Sequence, residues 1–311
     1  MASQITNTVL MVRPAAFRMN EETAVNNYFQ EDLQIKNEEI NKKAQHEFDA
    51  FVKQLQEVGV QVIVVDDKAE YNTPDSIFPN NWVSFHEDGT AVIYPMFAKN
   101  RRRERRMEIF EELESKNYKI EEVLDYSQAE EEGVFLEGTG SMILDRVNQK
   151  AYCALSPRAD EDLFIEFCED MEFTPVIFEA YQNVGGKRKP IYHTNVMMCV
   201  ANEFAVICLD SIDDTKEKKN VVKHLKDDGK EIIKINEAQM HQFAGNMLQV
   251  KGANETPYLV MSNTAYGSLN QDQISRIEKY CKILRSDIPT IETCGGGSTR
   301  CMMAEVFLPK Q

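Results

Sequence analysis

The chain has no apolar run near the roughly 18 residues of a membrane span. It has no CxxC pair and no HxxxH, and only five histidines and one tryptophan in 311 residues. The first lack argues against a membrane partner, and the second against a zinc site of the usual spacing. The opening residues Met1-Ala2-Ser3-Gln4-Ile5-Thr6 place no basic region ahead of an apolar core, so a secretory leader is not expected. Cysteines number seven. An odd count without a leader argues for reduced thiols and a cytoplasmic location. Cations are short: 35 Lys and Arg stand against 51 Asp and Glu, a formal net charge of −16. Phosphate binding needs a basic surface, so nucleic acid is not an expected partner. What is present, 42% hydrophobic and 28% charged residues, is the composition of a globular protein with a core of its own.

The richest local signal is Cys294-Gly295-Gly296-Gly297-Ser298-Thr299-Arg300-Cys301, followed by the apolar run Met302 to Leu308. Three glycines allow a sharp turn and a close backbone approach to a ligand. A cysteine then stands at the start of a strand, where a nucleophile and a small buried hydrophobe both fit.

A repeat organises the rest. Ser84 to Met96, Ser141 to Ser156, Val196 to Ser211 and Met247 to Ser262 each read as strand, polar turn, strand. The turns carry Glu87-Asp88-Gly89, Asp145-Arg146-Val147-Asn148, Asn202-Glu203 and Gly252-Ala253-Asn254-Glu255. The first strands begin about 51–57 residues apart, a period that signals one supersecondary unit repeated. Helical spacing follows the hairpins, as in Ile274, Ile277, Cys281 and Leu284 between Gln271 and Leu284. Ile40, Ala44, Phe48, Phe51, Val52, Leu55 and Val58 form another apolar face, which Gly59 ends, and the strand Val60 to Val65 follows. The next strand at the repeat interval begins at Met302. Its missing partner is expected to be Thr8 to Arg13, so that the two ends of the chain complete a fifth unit. The expected fold is a single α/β domain over 1–311, a closed pseudo-fivefold propeller.

In such a ring, the residues ahead of each first strand gather at one end of the axis. They are Asp75 with Asn81, Glu137, His193, Asn246 and Cys301. Alone, His193 reads as a core histidine, Glu137 as a turn cap, and the asparagines as turn residues. Together they bring an acid, a base and a thiol to the strand mouths, where a rigid scaffold presents reactive groups.

These residues resemble the pentein superfamily of guanidine-modifying enzymes. Asp75-Ser76-Ile77-Phe78 is similar to its first acidic motif and Phe135-Leu136-Glu137-Gly138 to its glutamate–glycine motif. Leu155-Ser156-Pro157-Arg158 is similar to an element that holds a substrate carboxylate, and Gly295 to Met302 to the terminal cysteine motif. Within the group, the chain resembles the bacterial citrulline-utilisation hydrolases. The resemblance implies the five-bladed α/β propeller and a cysteine-dependent hydrolase of free amino acids without a cofactor. It implies Cys301, His193 and Glu137 as catalytic residues. Asp75, Phe78, Asn80, Asn81, Arg158 and Asn246 are the expected substrate contacts.

The chemistry is consistent with those roles. A guanidino or ureido carbon is a poor electrophile and needs a thiolate nucleophile. Histidine shuttles protons, ionised Glu137 orients the planar group, and Arg158 forks onto a carboxylate. One departure stands out. Relatives acting on arginine end the first motif with an aspartate, where this chain has Asn80-Asn81. A neutral amide that donates and accepts suits a neutral ureido group, so citrulline is the expected substrate. Its products would be ornithine, ammonia and carbon dioxide. Arginine or methylarginine hydrolysis, amidino transfer to an amine, and a non-catalytic ribosome-binding role are the alternatives, and assembly into homo-oligomers is left open. Cys294 is the rival nucleophile. The run Arg101 to Arg106 before Glu108, Glu111, Glu112 and Glu114 reads as an exposed, salt-bridged helix. Lys187-Arg188-Lys189 reads as a solvated loop, with a lid hinged at Gly185-Gly186 as the alternative.

Overall fold

The polar clusters between apolar runs close as tight turns, and each closes a hairpin. The computed structural model describes residues 3–311, so Met1 and Ala2, where the leader reading starts, lie outside the described residues. Its strands in chain order are β1 (Thr8–Arg13), β2 (Gln61–Asp66), β3 (Val83–Phe85), β4 (Thr90–Ile93), β5 (Glu122–Asp125), β6 (Met142–Asp145), β7 (Lys150–Leu155) and β8 (Thr174–Glu179). Then come β9 (Tyr181–Val184), β10 (Lys187–Pro190), β11 (Met198–Val200), β12 (Phe204–Ile207), β13 (Glu231–Lys234), β14 (Leu248–Lys251), β15 (Pro257–Ser262), β16 (Lys282–Ser286) and β17 (Ala304–Glu305).

Four sheets repeat one topology. In each, the hairpin strands β3–β4, β6–β7, β11–β12 and β14–β15 pair antiparallel. The second strand then pairs parallel with β5, β8, β13 or β16, reached after a helix. A parallel neighbour needs such a crossover, whereas a hairpin needs only a turn. The fifth sheet has the same pattern from distant pieces: β17 pairs antiparallel with β1 (Leu10 opposite Ala304), and β1 runs parallel to β2. Strand β17 lies against β3, β6 against β11, and β11 against β14. The result is a mixed α/β fold of five like units, the last built from both ends of the chain.

The helices cover the outer strands. Asn37–Glu57 buries Ile40, Ala44, Phe48, Phe51, Val52 and Leu55, each large apolar side chain contributing about 2 kcal/mol. It stops at Val58, where Gly59 takes φ of 90°. The helix expected between Gln271 and Leu284 is shorter. It starts with an Asn270–Gln273 capping box and ends at Glu278. Lys282–Ser286 is instead β16, pairing Leu284 with Val260, so Cys281 and Leu284 lie off the helix. Helical and strand spacing coincide over this short apolar run, and the parallel edge of β15 decides the matter. Lys187–Pro190 is likewise no loop but half of the β9–β10 hairpin, turned at Gly185-Gly186, with Arg188 paired to Asp213 and Glu237. Among the described residues, no helix is long and apolar enough to cross a membrane.

Candidate active site

The glycine segment ends a helix, Pro289–Gly295, and Gly296 continues it in the left-handed region at φ of 62°. Gly295 and Gly297 press on the Phe78 ring, where an added Cβ would lie 2.7 and 3.0 Å from Cζ. The chain then turns so that Cys301, 2% exposed, sits three residues ahead of β17. Its sulfur accepts from the side-chain amides of Asn195 (3.3 Å) and Asn246 (3.2 Å).

Glu137, fully buried, meets His193 with Oε2 2.7 Å from Nε2, and its Oε1 accepts from the Phe97 N–H at 3.0 Å. Gly140 makes this approach possible, since a Cβ there would lie 2.8 Å from the His193 ring and 2.4 Å from Asn81 Nδ2. Burial opposes ionisation of Glu137. The Arg158 guanidinium, the hydrogen bond to His193 and Arg101 outweigh it and hold the carboxyl well below the usual range. Burial lowers His193 to about 4 against the pull of Glu137, so the ring is neutral near pH 7. A neutral imidazole donating Nε2–H to a carboxylate leaves Nδ1 as a base.

The first motif builds the next layer. Asn81 Oδ1 accepts from Arg101 at 2.8 Å, and its Nδ2 donates to Asn80 Oδ1 at 3.1 Å. Asn80 Nδ2 donates to Thr139 Oγ1 at 3.3 Å. Asp75 Oδ2 accepts from Asn20 (2.7 Å) and Thr23 (3.2 Å), while its Oδ1, also buried, has no partner. Burial pushes the Asp75 carboxyl up, with Arg101 opposing. Arg158 donates through Nε to Asn26 at 2.9 Å and through a terminal nitrogen to the Thr23 carbonyl at 3.0 Å. It lies 3.4 Å from Glu137 and 4.9 Å from the centre of the Tyr192 ring.

Arg101 corrects the exposed-helix expectation. It is 2% exposed, in a short 3-10 turn Lys99–Glu104, with both forks on Glu104 at 2.9 Å and Asp75 and Glu137 at 3.8 Å. Arg106 is also buried, beside Asp67. The α-helix begins only at Glu108. A run of like charges cannot reveal which member turns inward, because distant carboxylates decide it.

One small pocket, about 10 Å³ and the size of one water, is lined by Cys301, His193, Asp75, Phe78, Asn81 and Arg158. Asn27, Arg101, Tyr192, Gly295 and Gly297 complete its wall. Glu137 stands behind His193. Asn80 and Asn246 do not line it: one braces Asn81, the other holds the sulfur. Sequence reading misses Arg101, Tyr192 and Asn27, and gives Asn195 no role. The segment carrying Asn20 to Gln30 closes the cavity and is pinned by Asn27 and Gln30 to the Gly295 carbonyl. Cys294 points elsewhere, packed in the core with Ile291 and Phe51. Burial pushes the thiols of Cys153, Cys168, Cys199, Cys208, Cys281 and Cys294 up. Among the described residues, no three His, Cys, Asp or Glu side chains are placed to hold a metal ion.

The family model described as N,N dimethylarginine dimethylhydrolase, eukaryotic, matches residues 13–308. No curated protein sequence matches the chain. Among solved structures, apo ArgZ, an arginine dihydrolase from the ornithine-ammonia cycle in cyanobacteria, superposes with a TM-score of 0.73 at 16% identity. That match covers 98% of this chain and 41% of ArgZ, so the chain spans about two fifths of that relative's length. The N-terminal domain of ArgZ, as a cysteine-to-serine variant bound to substrate, gives 0.70 at 15% identity, covering 97% of this chain and 99% of the other. A dimethylarginine dimethylaminohydrolase adduct with S-methyl-L-thiocitrulline gives 0.64 at 15%, with the same coverages. At these identities the likeness is one of fold, the mixed α/β pentein fold.

Proposed function

The chain belongs to the N,N-dimethylarginine dimethylhydrolase family of the pentein superfamily, and from that premise we propose that it is a cysteine-dependent hydrolase of C–N bonds. Its substrate is the guanidino group of a free, arginine-type amino acid. The observation that carries this reading is a single cavity lined by Cys301, by His193 with Glu137 behind it, and by Asp75, whose buried Oδ1 has no partner. An anionic acceptor without a donor asks for a cationic N–H group. Beside it, the Arg158 fork rests on Asn26 and the Thr23 carbonyl, partners that a substrate carboxylate would displace, so opposite charges lie together as an amino acid requires.

In this mechanism the Cys301 proton passes to Nδ1 of neutral His193, and the sulfur bonds to the guanidino carbon. Glu137, behind His193, stabilises the imidazolium. His193 then protonates the leaving nitrogen, which departs as ammonia or an amine. Water adds to the thiouronium-type adduct, giving its proton back to His193, and the thiolate leaves. The same reading includes one catalytic domain over 1–311, with its five units closed into a ring.

Citrulline, the finer expectation, rests on Asn81 meeting a ureido oxygen. Asn81, held by Arg101 and Asn80, keeps one amide N–H for such an oxygen, whereas the unpartnered acceptor Asp75 Oδ1 favours the guanidino reading. The test is release of ammonia or methylamines, and of the amino-acid product, from arginine, methylated arginines, agmatine and citrulline. Turnover of a guanidino amino acid is expected. Turnover of citrulline alone would overturn the choice of group.

A further inference from the structure

Among the described residues, the side-chain groups within hydrogen-bond distance of the Cys301 sulfur are two neutral amides. Asn195 comes from the mouth of the third unit and Asn246 from that of the fourth, and both are fully buried. Asn246 has one possible orientation. Its Oδ1 accepts from the Arg300 backbone N–H at 3.1 Å, and its Nδ2 donates to the Asn195 carbonyl at 3.1 Å. A backbone donor and a backbone acceptor thus fix the amide, and its remaining N–H faces sulfur. Asn195 also turns Nδ2 to sulfur, although this leaves its buried Oδ1 without a donor. An orphaned acceptor is a cost that native structures rarely tolerate without a role at the other end of the group.

A sulfur met by two N–H groups is placed as an acceptor. A thiolate accepts such bonds with charge assistance, and a thiol accepts them weakly. His193 has Nε2 engaged with Glu137 and is neutral, so it supplies no resting cation. The geometry points to Asn195 and Asn246 as a two-amide cradle, positioning residues that hold Cys301 as a thiolate once its proton leaves. The inference rests on the proposed role of Cys301 as nucleophile, and not on the identity of the substrate.

Asp75, Arg101, Arg158, Tyr192 and His193 share the cavity wall with the sulfur, and Glu137 stands behind them. All six are retained in the variants to be compared, so a difference in titration isolates the amides. The experiment is an ultraviolet titration of thiolate absorbance, with Cys301→Ser as the baseline for the other thiols and tyrosines. Asn195→Leu and Asn246→Leu keep the volume and remove the donors. Each is expected to raise the Cys301 midpoint by about one pH unit, a tenfold fall in thiolate fraction below it. Midpoints unmoved in both folded variants would overturn the cradle, since a merely structural role would shift melting and not titration. Where a leucine variant does not fold, Asn195→Ser or Asn246→Ser replaces it in the same comparison. If midpoints shift while the wild type turns over no guanidino or ureido substrate, the functional reading falls and the cradle stands. If the wild type turns over substrate while the midpoints stay put, the cradle falls and the functional reading stands.

Discussion

Replacing Arg101 by methionine removes the one cation shared by Glu104, Asp75 and Glu137 while keeping an unbranched, apolar stem. Arg101 is 2% exposed, its forks lie 2.9 Å from both Glu104 oxygens, and a third N–H holds Asn81. Removing one partner of a buried ion pair typically costs about 3–5 kcal/mol, because the charge left behind stays desolvated. At about 2.1 cal/mol/K per residue, unfolding 311 residues carries about 0.65 kcal/mol/K of entropy. A loss of about 4 kcal/mol therefore lowers Tm by about 6 °C. Burial already pushes the Glu104 carboxyl up, and without Arg101 nothing opposes it. A carboxyl whose folded pKa lies above its unfolded value binds more protons folded than unfolded. Because the wild-type carboxyl is itself pushed up to about 8, both proteins lose stability in parallel between pH 5 and 8, and the variant's deficit grows only as pH rises above about 8. Adding Glu104→Leu removes the stranded carboxylate and should return part of the loss, which a double-mutant cycle measures. The assay is thermal melting across pH, with amino-acid turnover alongside. A Tm within about 1 °C of wild type at pH 8, with turnover intact, would refute the account and return Arg101 to an exposed charge run.

Other substitutions test the remaining layers. Cys301→Ser should abolish turnover and labelling by a substrate-like haloacetamidine, whereas Cys294→Ser should keep both; mass spectrometry of the labelled peptide decides between them. Gly140→Ala should fold yet lose about a hundredfold in kcat, because its Cβ displaces His193 and Asn81. A kcat within twofold of wild type would contradict the close approach. His193 is lowered to about 4 from 6.5, so the folded state binds fewer protons than the unfolded state between these values. Stability should fall by about 3 kcal/mol as pH drops through that window. The wild type should therefore lose more Tm on acidification than His193→Gln, and parallel curves would exclude a buried neutral ring. Arg158→Met should raise KM for arginine by about 10–100-fold and leave agmatine, which lacks the carboxylate, less affected. Equal losses for the two compounds would remove the carboxylate role.

The repeated units can be read from the chain because hairpins are local. Asp145-Arg146-Val147-Asn148 sits between two apolar runs, and those runs pair as the turn dictates. The ends are harder, yet Thr8 to Arg13 can be assigned to the fifth unit because the count leaves Met302 without a partner. The observed strand is only Ala304–Glu305, since Cys301 to Met303 are used in the turn that presents the sulfur. The repeat alone brings Cys301, His193 and Glu137 to neighbouring strand mouths, and the structure places Cys301 and His193 on one cavity with Glu137 behind. Pairing between buried polar groups cannot be read this way. Asn81 as a ureido donor follows from chemistry alone, and nothing in the sequence shows that Arg101, twenty residues on, takes its oxygen. Asn246 reads as a substrate contact because its distance from sulfur depends on how two units pack.

Strand β1 is synthesised almost three hundred residues before β17, the neighbour that completes its sheet. Until then β1 has only β2 beside it, and one edge stays open to the wrong partners. Cys301 arrives at the very end of this wait, three residues before the closing strand. A nascent chain therefore carries His193, Glu137 and Asp75 with no thiol between them. Under the proposed mechanism, reactivity is withheld until Cys301 is made, and its onset reports the moment at which the fifth sheet is joined.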